Sequence, residues 1–197
     1  MKKLVSIIGD AVIDNDSNKR AFAYAMGKAL VDNGYRVVSG GMGGVMQAAF
    51  EGARASEFYQ EGDTVAILPF FDRSKTNGLA DIVIGTGLDI YRNFIVANSD
   101  AVIAVGGGAG TLSELATAWT LKRLMLAYAD ADGWSGQIAG KRMDYRVRYE
   151  EIEEDKVFGV KTADEAIAIL EKYIGQYNAS HDGIKPQEGV LAPYEVK

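Results

Sequence analysis

Apolar positions along this chain fall into two alternating rhythms: short runs of about five residues, and longer stretches whose apolar residues recur every three or four places. The first run, residues 4–8, reads as a strand. It is followed by a polar connection and a helix over 19–33, in which Phe22, Met26, Ala29 and Leu30 share one face. Gly34 stops that helix as a C-terminal cap would. The same alternation predicts a strand at 35–39, a helix at 45–55, a strand at 64–68, an irregular stretch at 69–79, a strand at 81–84 and a helix at 89–97. Residues 101–105 are apolar throughout, as in a strand buried on both faces, and lead to a helix over 111–123. Beyond it, strands are expected at 124–127 and 157–160, and an amphipathic helix at 164–173 introduced by Thr162-Ala163-Asp164-Glu165. Residues 130–155, rich in glycine and charge, read as a partly ordered surface excursion.

Alternation of this kind predicts a Rossmann-like three-layer α/β/α fold with a mostly parallel sheet of about six or seven strands joined by right-handed crossovers. With 197 residues the chain is expected to form one domain over 1–177, followed by a loosely ordered C-terminal tail over 178–197. The composition, 48% hydrophobic and 24% charged with only 3 prolines, is that of a folded globular protein. Its net charge of −6 argues against nucleic acid or an anionic membrane as partner and favours a small ligand. There is no cysteine, which excludes disulfides, thiolate catalysis and sulfur-based zinc sites. The first apolar run ends at Gly9 and Asp10, too early for a secretory signal, and no apolar stretch approaches the ~20 residues that span a bilayer. A cytoplasmic location is expected.

The 23 glycines matter for where they cluster. Gly40, Gly41, Gly43 and Gly44 follow one expected strand, Gly106, Gly107, Gly108 and Gly110 follow another, and Gly9 ends the first. Ligands of an open parallel sheet sit beyond the carboxyl ends of its strands. There, a glycine turn opening a helix presents free backbone N–H groups and the positive end of the helix dipole, which suit a phosphate. Tight turns alone would also account for any single cluster. Neither the P-loop nor the dinucleotide-binding glycine pattern is present. Ser39 and Ser113 have no histidine available except His181 in the expected tail, so a Ser-His-Asp hydrolase is disfavoured. Asp10, Asp14 and Asp16 could hold a divalent cation, but a solvated loop with Asp16 or Ser17 capping the next helix is the preferred reading.

Ser39 to Met46, the pair Arg92-Asn93, and Gly106-Gly107-Gly108-Ala109-Gly110-Thr111-Leu112-Ser113-Glu114 together resemble the LONELY GUY (LOG) superfamily, also known as possible lysine decarboxylases. The similarity is strongest to the branch related to DNA-processing protein A and to molybdenum cofactor carrier proteins, with Gly133-Trp134 and residues 140–144 in the same style. The resemblance implies a nucleotide or phosphorylated small-molecule binder, and for the enzymes of the superfamily a phosphoribohydrolase that splits nucleoside 5′-monophosphates with no required cofactor. It puts Glu114 at the catalytic carboxylate and Arg92 at the substrate-orienting arginine, with the backbone of Gly107, Gly108, Ala109, Gly110 and Thr111 around the phosphate. Gly106 stands where those enzymes have proline, and Asn93 where they have lysine; both departures favour the carrier branch, whose implied cargo is molybdenum cofactor. Two plainer readings stay open: a capping box from Thr111 to Glu114, and Arg92 as a surface ion-pair residue. The resemblance also implies a homodimer or higher homo-oligomer, for which Leu115, Trp119 and Leu121 could form either an interface or core.

Overall fold

The computed structural model describes residues 1–177; the expected tail from Asn178, and His181 in it, lie outside the described residues. Seven strands, β1 (Leu4–Gly9), β2 (Arg36–Ser39), β3 (Thr64–Leu68), β4 (Ile82–Gly85), β5 (Ala101–Val105), β6 (Leu124–Tyr128) and β7 (Val157–Val160), form one sheet in the order β4-β3-β2-β1-β5-β6-β7. Every pairing is parallel. The helices are α1 (Asn18–Asp32), α2 (Val45–Arg54), α3 (Asn93–Ala97), α4 (Ala109–Thr120), α5 (Gly133–Ile138) and α6 (Ala163–Tyr173).

Strand alternation divides the apolar residues between two cores. Ala101, Ile103 and Val105 of β5 join the side packed by α1, α2 and α6, and Val102 and Ala104 join the side packed by α3, α4 and α5. The result is the expected three-layer Rossmann-like architecture. Leu115 and Trp119 of α4 are buried in the second core, so they are core and not an interface. No helix among the described residues is long and apolar enough to cross a membrane.

Several local expectations change. Ser17 is the residue that caps α1, its Oγ accepting from the Arg20 N–H at 3.2 Å. Residues 89–97 form a 3-10 turn over Asp89–Arg92 before the five-residue α3. The surface excursion expected at 130–155 is at the surface for most of its length, but it is anchored at a few buried points. It contains α5, and beyond it Arg148 and Asp155 form a buried ion pair, with Arg148 stacked 3.7 Å over the Trp119 ring and Asp155 accepting from Tyr177 Oη at 2.8 Å. Single charged residues of such a segment can be buried when they neutralise one another and find hydrogen bonds, which composition alone does not reveal.

Chain order runs outward from β1 through β2 and β3 to β4 on one side, and from β5 through β6 to β7 on the other. The strand order therefore reverses between β1 and β5, where crossovers leave on opposite faces and open a crevice at the carboxyl ends. Gly9 pairs with Val105 at that edge, and a Cβ on Gly9 would lie 2.1 Å from the Val105 carbonyl oxygen. Only glycine lets the two strands close at this point.

Candidate functional site

A cleft of about 260 Å³ occupies this crevice. Its walls come from four segments: Ile8 to Ala11 after β1, Ser39, Gly40, Met42 and Met46 around the start of α2, Arg92 and Asn93, and Gly108, Gly110, Thr111 and Glu114 at the start of α4. Residues distant in sequence, Gly9, Gly40, Arg92, Gly108, Gly110, Thr111 and Glu114, thus meet in one cleft, the glycines at strand ends and Arg92 and Glu114 where the resemblance implied. Gly41, Gly43, Gly44, Gly107 and Ala109 do not line the cleft. The reason is packing: Cβ atoms would come within 2.6 Å of Ala66 Cβ at Gly41 and 2.2 Å of the Asp10 carbonyl at Gly44. These glycines bring segments close together to shape the walls.

The turn into α4 is built from two successive residues with positive φ, Gly106 at 66° and Gly107 at 97°, a region that side chains disfavour. It is pinned from behind by α5. The Gly106 N–H donates to Ser135 Oγ at 2.7 Å, Ser135 N–H returns a bond to the Gly106 carbonyl at 3.0 Å, and Trp134 N–H donates to the Gly107 carbonyl at 2.9 Å. Ser135 is the supporting residue that sequence reasoning missed, since a lone serine in a charged segment carries no signal. Gly108 caps α4 without a side-chain bond. Among the described residues no acceptor is found for the N–H groups of Ala109, Gly110 and Thr111, the orphan donors of the first turn.

Arg92 and Glu114 face each other across the cleft floor, Nη1 to Oε1 at 3.5 Å, with side chains 8% and 9% exposed. Both plainer readings are excluded. Arg92 is not a surface residue, and Glu114 lies in the second turn of α4, too far along to cap a helix that begins after Gly108. The guanidinium donates no hydrogen bond to any described residue, and its Nε is fully buried without a partner. Room for it comes from Gly40, where a Cβ would stand 2.7 Å from both terminal nitrogens. Burial pushes the Glu114 carboxyl up to about 7, opposed by the nearby guanidinium, and burial also lowers the Arg92 pKa. The floor therefore carries an acid that exchanges its proton near neutrality beside a cation with unused donors.

The remaining polar residues are structural. Ser39 Oγ donates to the Ile7 carbonyl at 2.6 Å, and Ser113 Oγ donates to the Gly110 carbonyl at 2.7 Å while accepting from Asn93 Nδ2 at 2.9 Å. Neither is a free nucleophile. Asp10 at the cleft edge is held through Oδ2 by Lys19 Nζ at 2.7 Å, and Lys19 also reaches Asp132 at 2.8 Å. Asp10, Asp14 and Asp16 form no metal cage: among the described residues no group of three acidic or histidine side chains could hold an ion.

An open parallel sheet with this crevice and helix start defines a Rossmann-like α/β protein. The chain belongs to the SLOG cluster4 family, whose model matches residues 2–167. An uncharacterised protein of Archaeoglobus fulgidus is 39% identical over 115 residues, 58% of this chain and 72% of that one. Among solved structures, a protein designated TM1055 superposes with a TM-score of 0.73 at 28% identity, covering 86% of this chain and 99% of that chain. The molybdenum cofactor binding protein of the phototrophic bacterium Rippkaea orientalis gives 0.71 at 26% identity, covering 88% and 98%. The molybdenum cofactor carrier protein of Chlamydomonas reinhardtii gives 0.70 at 26%, covering 88% and 99%. DNA-processing protein A of Helicobacter pylori, at 20% identity and a TM-score of 0.56 over 86% and 80% of the two chains, shares the fold alone.

Proposed function

We propose that the cleft binds a phosphorylated small molecule of the nucleoside monophosphate or pterin type, with its phosphate at the start of α4 and the rest of the ligand over Arg92 and Glu114. The observation that carries this reading is the Arg92 guanidinium, buried in a cleft that is also lined by Gly110 and Thr111 at the start of α4, and donating to no described residue. A buried cation without hydrogen bonds is costly unless a ligand supplies the acceptors. An anionic ligand does so, and the orphan N–H groups take its phosphate without displacing any protein contact.

Two fates of the ligand are compatible with this geometry. In hydrolysis of an N-glycosidic bond, Arg92 orients the ribose phosphate, and Glu114, half protonated near neutral pH, moves a proton to or from water or the departing base. In a carrier, the same two residues and the α4 amides hold the ligand unchanged. Similarity to two proteins named for molybdenum cofactor supports the second reading. Such a cargo would be gripped by its phosphate, because the chain has no cysteine and no metal cage among the described residues. A cytoplasmic setting belongs to the same proposal, and the net charge of −6 disfavours nucleic acid as the ligand.

The test is a panel of nucleoside monophosphates and pterin phosphates, read by calorimetry for binding and by chromatography for free base and ribose 5-phosphate. Binding that weakens about tenfold or more in Arg92→Met supports the site, by the strength of a charged hydrogen bond. Turnover abolished in Glu114→Ala supports the enzyme, and binding without turnover the carrier. Neither binding nor turnover across the panel would refute the proposal.

A further inference from the structure

Of the residues that line the cleft, three are charged: Arg92 and Glu114 on its floor, and Asp10 after β1. The ligand reading gives Asp10 no task, yet two glycine turns are shaped around it. Its backbone carbonyl accepts from the Val45 N–H at 2.9 Å, and a Cβ on Gly44 would stand 2.2 Å from that oxygen. Its carboxylate lies against the turn into α4, where a Cβ on Gly106 would stand 2.2 Å from Oδ2. Glycine at 106 thus makes room for an acid beside the turn that opens the phosphate site.

That acid is held in one orientation. Lys19 Nζ donates to Asp10 Oδ2 at 2.7 Å and to Asp132 Oδ1 at 2.8 Å, from a side chain only 17% exposed. The hydrogen bonds to Asp10 and then to Asp132 raise the Lys19 pKa, so it stays a cation through the neutral range. Asp132 immediately precedes α5, whose Ser135 pins the Gly106 N–H, so the bridge joins α1, the end of β1 and the support of the phosphate turn. The lysine also offsets the charge of Asp10, which by itself would repel a bound phosphate. Asp10 Oδ1 is different. It has no hydrogen-bond partner among the described residues, on a side chain 26% exposed in the cleft wall.

A carboxylate is an acceptor only, so the group it takes from a ligand carries an O–H or N–H. A phosphate ester above its second pKa of about 6 carries neither. The cleft is small, about 260 Å³, and both Asp10 and the start of α4 line it. A phosphate seated at Gly110 and Thr111 therefore brings the adjoining part of the same molecule to Asp10. In a nucleotide that part is the sugar with its hydroxyls, and the base amines are one ring further away.

We propose that Asp10 is a specificity-determining residue whose Oδ1 accepts a hydrogen bond from a sugar hydroxyl of a nucleoside monophosphate, with Lys19 as the positioning residue that holds it. This role rests on the reading of the cleft as a phosphate site, and within that reading it selects the nucleotide over the pterin.

The experiment is calorimetry of adenosine monophosphate and its 2′,3′-dideoxy analogue on wild type, Asp10→Ala and Asp10→Asn, with thermal melting of each protein. Wild type is expected to bind the nucleotide about tenfold or more tightly than the analogue, which leaves a charged acceptor unpaired. Asp10→Ala should bind the two alike. Asp10→Asn keeps the shape and loses the charge, and its preference should fall between, since a neutral hydrogen bond is the weaker one. Damage to the fold or to the cleft weakens both ligands together, so the ratio of the two affinities reads the role. Lys19→Met should lower that ratio and Lys19→Arg retain it; a ratio unmoved in Lys19→Met removes Lys19 from the role. Equal binding of the two ligands by wild type, or a preference unchanged in Asp10→Ala, overturns the assignment of Asp10 and leaves the phosphate reading standing. Binding of a pterin phosphate but of no nucleotide does the same. Failure to bind any phosphorylated ligand overturns the phosphate reading and the assignment with it.

Discussion

Replacing Glu114 with glutamine removes a proton equilibrium and little else, so it isolates what burial has done to this carboxyl. Its pKa moves from 4.5 to about 7 on folding. A carboxyl raised in the native state binds its proton more tightly folded than unfolded, so stability is full below the unfolded value and declines as pH rises to the folded one. Two and a half pH units, at about 1.4 kcal/mol each, amount to about 3 kcal/mol lost by wild type between pH 4.5 and 7. Glu114→Gln, neutral at every pH, does not suffer this loss. Urea denaturation of both proteins at several pH values gives the difference in unfolding free energy, in which all other titrating groups cancel. That difference should rise in favour of the variant through pH 5 and 6 and level off above 7. A flat difference would show that Glu114 is not desolvated. A difference of opposite sign would show that Arg92 holds it as a stabilised carboxylate, and the account of a proton-exchanging floor would be wrong.

Two further outcomes follow from the glycines. Gly106→Pro, which restores the residue that LOG enzymes carry here, should destabilise by about 3 kcal/mol or more, measured by thermal melting, because proline requires φ near −65° where Gly106 has 66°. A Cβ there would also stand 2.2 Å from Asp10 Oδ2. Gly40→Ala should weaken ligand binding by about tenfold or more with a smaller effect on melting, since its Cβ meets the flexible end of Arg92 and not backbone. Unchanged affinity would remove Arg92 from the site.

Much of the fold could be read from periodicity because each strand and helix announces itself locally. The five-residue apolar run at 101–105 and the 3.6-residue spacing in α1 require no knowledge of the rest of the chain. The seventh strand and α6 were legible for the same reason. The 130–155 segment was not, since Arg148, Asp155, Tyr149 and Tyr177 look like surface residues until they are placed around Trp119. Polar residues are readable as buried only when their partners are known.

For the site, the sequence by itself determined the ingredients: glycines where strands end, an arginine, and a glutamate one turn into a helix. These follow from local chemistry, because only glycine accepts the turn at Gly106 and Gly107, and a helix start always has unpaired N–H groups. Tertiary structure alone decided which glycines line the cleft and which bring β1, β5 and α2 into contact. It alone moved Glu114 from helix cap to buried acid and left Arg92 without a hydrogen bond. It also left Ile82, Ile84, Tyr91 and Phe94 exposed at the surface. Each of these is a statement about desolvation, and desolvation depends on neighbours far away in sequence.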